Sequence, residues 1–287
     1  MTSEIYRQIS EIQTLRRKAD GVEIRYAEWN AGAEPTLLLL SPWPESLYAW
    51  EQLWPRLSSA AHVIAIDLPG FGHSEARADL YSPQAMGRFL VRLIDEWGIG
   101  APHVVGPDVG CPATLFAAAE SPRSLTSAIV GNGATSYPLE VGGALKDLID
   151  TPDLESLLAL DGAEVVRGSM QAHETYEVST AALDDYVTAY AGSRFGESAR
   201  FVRNYPTDLP VLKDLLPQIK TPVSVLASAR DPMVPISNAE FLVEHLPRAE
   251  LTALDFSHFG WEDGADAYGD AILAWLEGGF ARVGSDA

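Results

Sequence analysis

The stretch HVVGPDVGCPATLF, residues 103–116, joins a short apolar run to an alanine-rich, helix-prone segment through a tight Gly-Pro-Asp-Val-Gly turn. A short apolar strand that passes straight into a helix is the repeating unit of a mostly parallel sheet covered by helices. Two glycines, Gly106 and Gly110, flank the turn, and the residue at its centre is an acid, Asp108. Asp is a favoured helix cap, so Asp108 has a purely structural reading. It also has a chemical one, which depends on what surrounds it.

Outward from this stretch the same alternation recurs. Strand-like segments fall at residues 11–17, 22–29, 36–40, 62–66, 103–105, 125–130, 223–227 and 250–254. The first two, joined around Asp20-Gly21, read as a hairpin. The third, Thr36 followed by four leucines, is apolar on both faces, as a buried central strand must be. Between strands, residues 82–97 put Met86, Phe89, Leu90, Leu93, Ile94 and Trp97 on one helical face. Residues 238–245 and 265–276 behave alike. From about Thr135 to Leu215 the alternation stops; this stretch reads as helices and loops and holds five of the ten tyrosines. The expected organisation is a first core segment over 1–134, a helical insertion over 135–215 and a second core segment over 216–287.

Bulk composition narrows the partners. A net charge of −20 argues against nucleic acid and anionic membrane surfaces, both of which repel such a field. The single cysteine, Cys111, rules out an intramolecular disulfide and reads as a small packing residue. The opening residues MTSEIYRQIS lack the apolar centre of a signal peptide, and no apolar run approaches the ~18 residues of a membrane span. A cytoplasmic protein is the expectation, with the oligomeric state open.

In open parallel sheets, sites form at the carboxyl ends of strands. Four such ends carry unusual chemistry: Ser41-Pro42-Trp43-Pro44, Asp108, Asp231 in ARDPMVP and His258 in DFSHFGWED. The loop DLPGFGHSE, residues 67–75, lies between two of these strands. This set resembles the α/β-hydrolase fold over nearly the whole chain, with a mostly parallel central sheet, flanking helices and a helical cap after the sixth strand. The resemblance makes Asp108 the nucleophile on the sharp strand-to-helix elbow, followed in family order by the acid Asp231 and the base His258. SPWPES matches the loop that supplies one oxyanion donor in the epoxide hydrolase and haloalkane dehalogenase branch. By the same resemblance the backbone N–H groups of Trp43 and Val109 form the oxyanion hole. Two departures stand out: Ser41-Pro42 replaces the family's His-Gly, and Pro107 precedes the nucleophile. Taken singly, Asp231 before Pro232 could be only a turn former and His258 only a loop histidine. His62, His103 and His245 read as structural, while His73 and His173 have no assigned role.

Aspartate at the nucleophile position narrows the reaction. A carboxylate is already ionised at neutral pH and needs no base. Attack on saturated carbon gives an alkyl ester, which water activated by His258 then hydrolyses while Asp231 orients the imidazole. Epoxide opening leaves an alkoxide, which the resemblance supplies with a proton from a cap tyrosine. Tyr205 is the first choice by position, ahead of Tyr137, Tyr176, Tyr186 and Tyr190. Dehalogenases of this branch commonly place a tryptophan directly after the nucleophile as a halide donor; here that residue is Val109. Fluoroacetate dehalogenases use arginines at positions occupied here by Val109 and Pro112. The expected activity is hydrolysis of a small, neutral, largely apolar epoxide, with water as co-substrate and neither metal nor organic cofactor. Dehalogenation, another reaction on the scaffold, or a non-catalytic binding pocket are the alternatives.

Overall fold

A computed structural model describes residues 12–283. Eight strands form one sheet in the order β1-β2-β4-β3-β5-β6-β7-β8. They are β1 (Leu15–Ala19), β2 (Val22–Trp29), β3 (Thr36–Leu40), β4 (His62–Ile66), β5 (His103–Pro107), β6 (Ser127–Gly131), β7 (Val223–Ser228) and β8 (Ala249–Leu254). The β1–β2 and β2–β4 pairs are antiparallel, and every other pair is parallel. Leu37 to Leu40 are fully buried, as a central strand sandwiched by helices requires.

β1 and β6 start later than their sequence-based bounds, and β5, β7 and β8 extend one or two residues beyond theirs. β1 lies at Leu15–Ala19 rather than 11–17; Gln13 and Thr14 are unpaired, and Glu11 falls outside the described residues. The cause is the turn: Asp20 (φ 49°) and Gly21 (φ 79°) both adopt left-handed backbone and set the register from Ala19↔Val22 outward. Four of the five β1 residues are exposed, so no hydrophobic pattern marks the strand. β6 begins at Ser127, opposite His103, rather than at Leu125.

Helix α1 (Pro83–Trp97) buries the apolar face read from the sequence, and Ser82 caps it by accepting from the Ala85 N–H. Helix α2 (Gly110–Glu120) follows the elbow and is buried along most of its length. Between β6 and β7 run α3 (Gly143–Asp150), α4 (Leu154–Leu158), α5 (Gly162–Met170), α6 (Thr180–Ala189), α7 (Arg194–Ser198), α8 (Arg200–Arg203) and α9 (Tyr205–Leu215). This helical block is the cap. The second core segment adds α10 (Ser237–His245), α11 (Gly260–Asp263) and α12 (Ala265–Ala274). No described helix is long and apolar enough to cross a membrane.

Candidate active site

The site starts at the end of β5. Asp108 adopts φ 52°, a conformation a side-chain-bearing residue rarely takes, and it lifts the carboxylate off the sheet. The surrounding backbone is held by Asp108 N–H to Gly131 O (3.0 Å) and Cys111 N–H to Asp108 O (3.0 Å). Space is the reason for glycine here. A Cβ on Gly106 would stand 2.4 Å from Thr114 Oγ1 and 2.8 Å from the Gly110 carbonyl oxygen. The unusual Pro107 costs no ladder bond to β3, because the β3–β5 register ends at Leu39↔Val105. Pro112 sits in the first turn of α2, where N–H groups have no intrahelical partner.

The backbone N–H of Trp43 donates to Asp108 Oδ2 at 2.7 Å. Burial raises the Asp108 pKa to about 6, against the opposing pull of His258 and of the Trp43 and Val109 N–H groups. Both backbone groups expected in the oxyanion hole therefore already face the Asp108 carboxyl. Replacement of His-Gly by Ser41-Pro42 leaves the Trp43 donor intact.

His258 Nδ1 lies 2.7 Å from Asp231 Oδ2, and its Nε2 lies 3.9 Å from Asp108 Oδ1. The second separation is too long for a direct hydrogen bond and suits a bridging water. All three side chains are buried. Burial lowers the His258 pKa, but the negative charges of Asp231, Asp108 and Glu45 outweigh it and hold the value at about 9. Burial likewise raises Asp231, yet His258, the Val234 N–H and Asn132 together bring it below the ordinary carboxylate range. Asp231 Oδ1 accepts from the N–H groups of Met233 (2.8 Å) and Val234 (2.9 Å), so the Pro232 turn serves to bind the carboxylate.

Asn132 escaped the sequence reading. It leaves β6 at φ 49°, donates from Nδ2 to Asp231 Oδ2 at 2.8 Å, and accepts from the Ser228 N–H at 3.1 Å. Its signal was an Asn between two glycines at a strand end, Gly131-Asn132-Gly133, a tripeptide that also reads as an ordinary turn.

A cavity of about 370 Å³ opens on Asp108 and His258. Its core-side wall includes Trp43, Pro44 and Phe259, and its cap-side wall includes Leu145, Leu157, Val165 and Phe195. The Trp43 indole stacks on Phe195 (4.9 Å between centroids) and donates to Ser198 Oγ at 2.8 Å. It is therefore engaged by the cap.

No tyrosine lines this cavity. Tyr176 donates to Glu51, Tyr186 to Glu262 Oε1 (3.2 Å) and Tyr190 to the Glu45 carbonyl oxygen (2.9 Å). Tyr137 is 42% exposed and faces Lys213. These four hydroxyls or rings are committed away from Asp108, because they seal the cap to the core or sit on the surface. Tyr205 differs: it is buried, and after burial itself the negative charge of Asp108 is what most opposes its ionisation. Cys111 is buried with its thiol pKa pushed up by that burial, the reverse of a reactive thiolate.

An acid on the strand-to-helix elbow, a second acid after β7 and a histidine after β8, beneath a helical cap, are the arrangement of the α/β-hydrolase fold. Residues 35–158 match the family model described as alpha/beta hydrolase fold. An uncharacterized hydrolase of Saccharomyces cerevisiae is 26% identical, over 89% of this chain and 93% of the relative. A haloalkane dehalogenase of Bradyrhizobium diazoefficiens is 24% identical, over 93% of this chain and 95% of the relative. Among solved structures, the epoxide hydrolase CorEH without ligand superposes with a TM-score of 0.78 at 18% identity, covering 93% of this chain and 99% of that one. At that identity the likeness speaks for the fold alone. The chain has the α/β-hydrolase fold and is similar to hydrolases that share it.

Proposed function

We propose that this hydrolase opens a small, uncharged, largely apolar epoxide through a covalent alkyl-enzyme ester on Asp108. The observation that carries the reading is an acid, not a serine, on the strained elbow, with the Trp43 N–H on one carboxylate oxygen. A carboxylate attacking an ester carbonyl would give an anhydride, whereas attack on saturated carbon gives a stable ester. In the first step an Asp108 oxygen bonds to an epoxide carbon, the C–O bond breaks, and the alkoxide takes a proton. Tyr205 is the proposed donor by its position near the end of the cap; it is buried and lies outside the cavity lining, so a shift of α9 must bring its hydroxyl to the alkoxide.

Esterification removes the charge on Asp108, which is one of the groups that hold His258 protonated. The imidazole loses its proton more readily at that point and can act as the base that the second step needs. Water in the gap by Nε2 attacks the Asp108 carboxyl carbon, and the oxyanion falls to the Trp43 and Val109 N–H groups. Such a donor typically contributes ~10²–10³ in rate. Collapse of the tetrahedral intermediate breaks the ester bond, frees the diol and leaves one water oxygen in the carboxylate.

The cavity walls carry no lysine or arginine, which favours a substrate without a carboxylate. Halide displacement is the weaker reading. Val109 brings no side-chain donor, and the indole N–H of Trp43 is already taken by Ser198.

A single turnover in oxygen-18 water, with a panel of epoxides and haloalkanes, tests the mechanism. Label is expected in the peptide containing Asp108, and turnover without label would sink the ester. His258→Gln is expected to accumulate the ester, observed as a mass increase equal to the intact epoxide. Tyr205→Phe is expected to slow ester formation by ~10²-fold or more, the scale of general acid catalysis. Wild-type rates in that variant would return the proton-donor role to another group.

A further inference from the structure

Beneath the cap, away from the Asp108 cavity, two buried carboxylates and a histidine converge. Glu45 follows Trp43 on the loop after β3, Glu262 lies on α11, and His173 comes from the cap between α5 and α6. One potential ligand atom from each lies within 4.8 Å of the others. We propose that Glu45, His173 and Glu262 form a binding site for a divalent transition-metal ion of the zinc or manganese class, joining cap to core.

Three observations carry this. Glu45 is fully buried; its Oε1 accepts only a 3.2 Å bond from Trp261 Nε1, and its Oε2 has no donor among the described residues. A buried carboxylate oxygen facing a second carboxylate requires a cation or a proton between them. The orienting contacts of a metal centre are also present. His173 Nδ1 is 3.0 Å from the Met170 carbonyl oxygen, which aims Nε2 inward, and Tyr186 donates to Glu262 Oε1 at 3.2 Å. Finally, an acidic groove lies beside the cluster. It has a volume of about 930 Å³, borders Glu262 next to Glu51, Asp263 and Asp266, and has no lysine or arginine in its lining among the described residues.

The donor set, one imidazole and two carboxylates, suits zinc or manganese rather than a soft thiophilic ion. Zinc ligands sit about 2.0–2.2 Å from the metal and so no more than about 4 Å apart, which a modest side-chain adjustment achieves. His173 Nε2 lies 2.6 Å from Glu262 Oε2, so the incoming ion would replace the proton of that hydrogen bond and release it.

The test uses the full chain purified without chelator, then stripped and retitrated with Zn²⁺ or Mn²⁺. About one equivalent of metal per chain is expected. The stripped protein should gain roughly 4 °C in Tm at a hundredfold excess over Kd. His173→Gln and Glu45→Gln should each lose that gain. If one variant fails to fold, the other decides. No bound metal together with an unchanged Tm overturns the proposal and leaves a shared proton as the bridge. An equal gain in wild type and variants also overturns it, because the ion would then sit on the acidic surface. Metal content and Tm are read without turnover, so neither result depends on the epoxide reading.

Discussion

The residue with most at stake is Asp108, because burial works against the ionised form its chemistry needs. Its pKa of about 6 means that the carboxylate proposed to attack is mostly charged at neutral pH and is lost as pH falls through that value. Ester formation should therefore decline below about pH 6, with protonated Asp108 inert. His258→Gln isolates this step, since hydrolysis of the ester stops there. The same substitution removes an imidazolium that favours the Asp108 anion, so the midpoint should move above 6 in the variant. Quenched-flow mass spectrometry of the alkylated peptide against pH measures it. A rate flat across the acidic range would mean that Asp108 is not the attacking group. His258 is displaced upward as well, to about 9, but there the cause is neighbouring negative charge, which outweighs burial. Its imidazolium is held by the two carboxylates it faces, and it gives up its proton more readily once one of them is esterified.

Among the elements, the β5–elbow–α2 unit leaves least freedom, and it was also the most legible in the sequence. Gly106, Asp108 and Gly110 could be read directly because each answers a local steric demand. Gly106→Ala places a methyl 2.4 Å from Thr114 Oγ1 and 2.8 Å from a backbone oxygen of α2 that has little room to yield. The expected cost is about 1–3 kcal/mol, the range for overpacking, with activity falling as the elbow shifts. Urea denaturation against wild type measures it, and unchanged stability would show that α2 can move freely from β5. The order Asp108, Asp231, His258 was legible for a related reason, since the first two follow strands with apolar runs and His258 follows an alternating one. What stayed hidden depends on contacts between distant segments. Asn132 orients Asp231 across 99 positions of sequence, and nothing local distinguishes that role from a turn. The cap tyrosines were illegible in the same way. The sequence placed them in a stretch of helices and loops but could not say whether a hydroxyl faces the cavity or, like Tyr190, the Glu45 carbonyl. β1 was misplaced because its exposed residues carry no pattern, and only the turn geometry sets its register.

For the whole molecule, the decisive question is how the cap is held while substrate enters. The cavity roof is built from α3, α4, α5 and α7, whereas much of the anchoring falls on α6. Tyr186 reaches Glu262 from that helix, and Tyr190 directly after it reaches the Glu45 carbonyl. Asp185 accepts two bonds from Arg25 of β2, at 2.6 and 2.8 Å. Arg25 also donates to the fully buried Asp67 at 2.6 Å, and its side chain is 6% exposed. This ion triad is therefore a largely buried electrostatic link between cap and core. An anchored α6 beside a separate roof predicts that loosening the triad disturbs the cap before the sheet. Arg25→Ala leaves Asp67 buried with only the Leu47 and His73 N–H groups, and removing one partner of such a pair costs about 3–5 kcal/mol. Asp67→Asn added to Arg25→Ala should recover part of that loss, because the stranded charge disappears. Hydrogen exchange is the discriminating measurement. Amides of α6 should lose protection in Arg25→Ala while β3 and β5 keep theirs. Uniform loss across both would mean that Arg25 stabilises the whole domain, with no separate role in holding the cap.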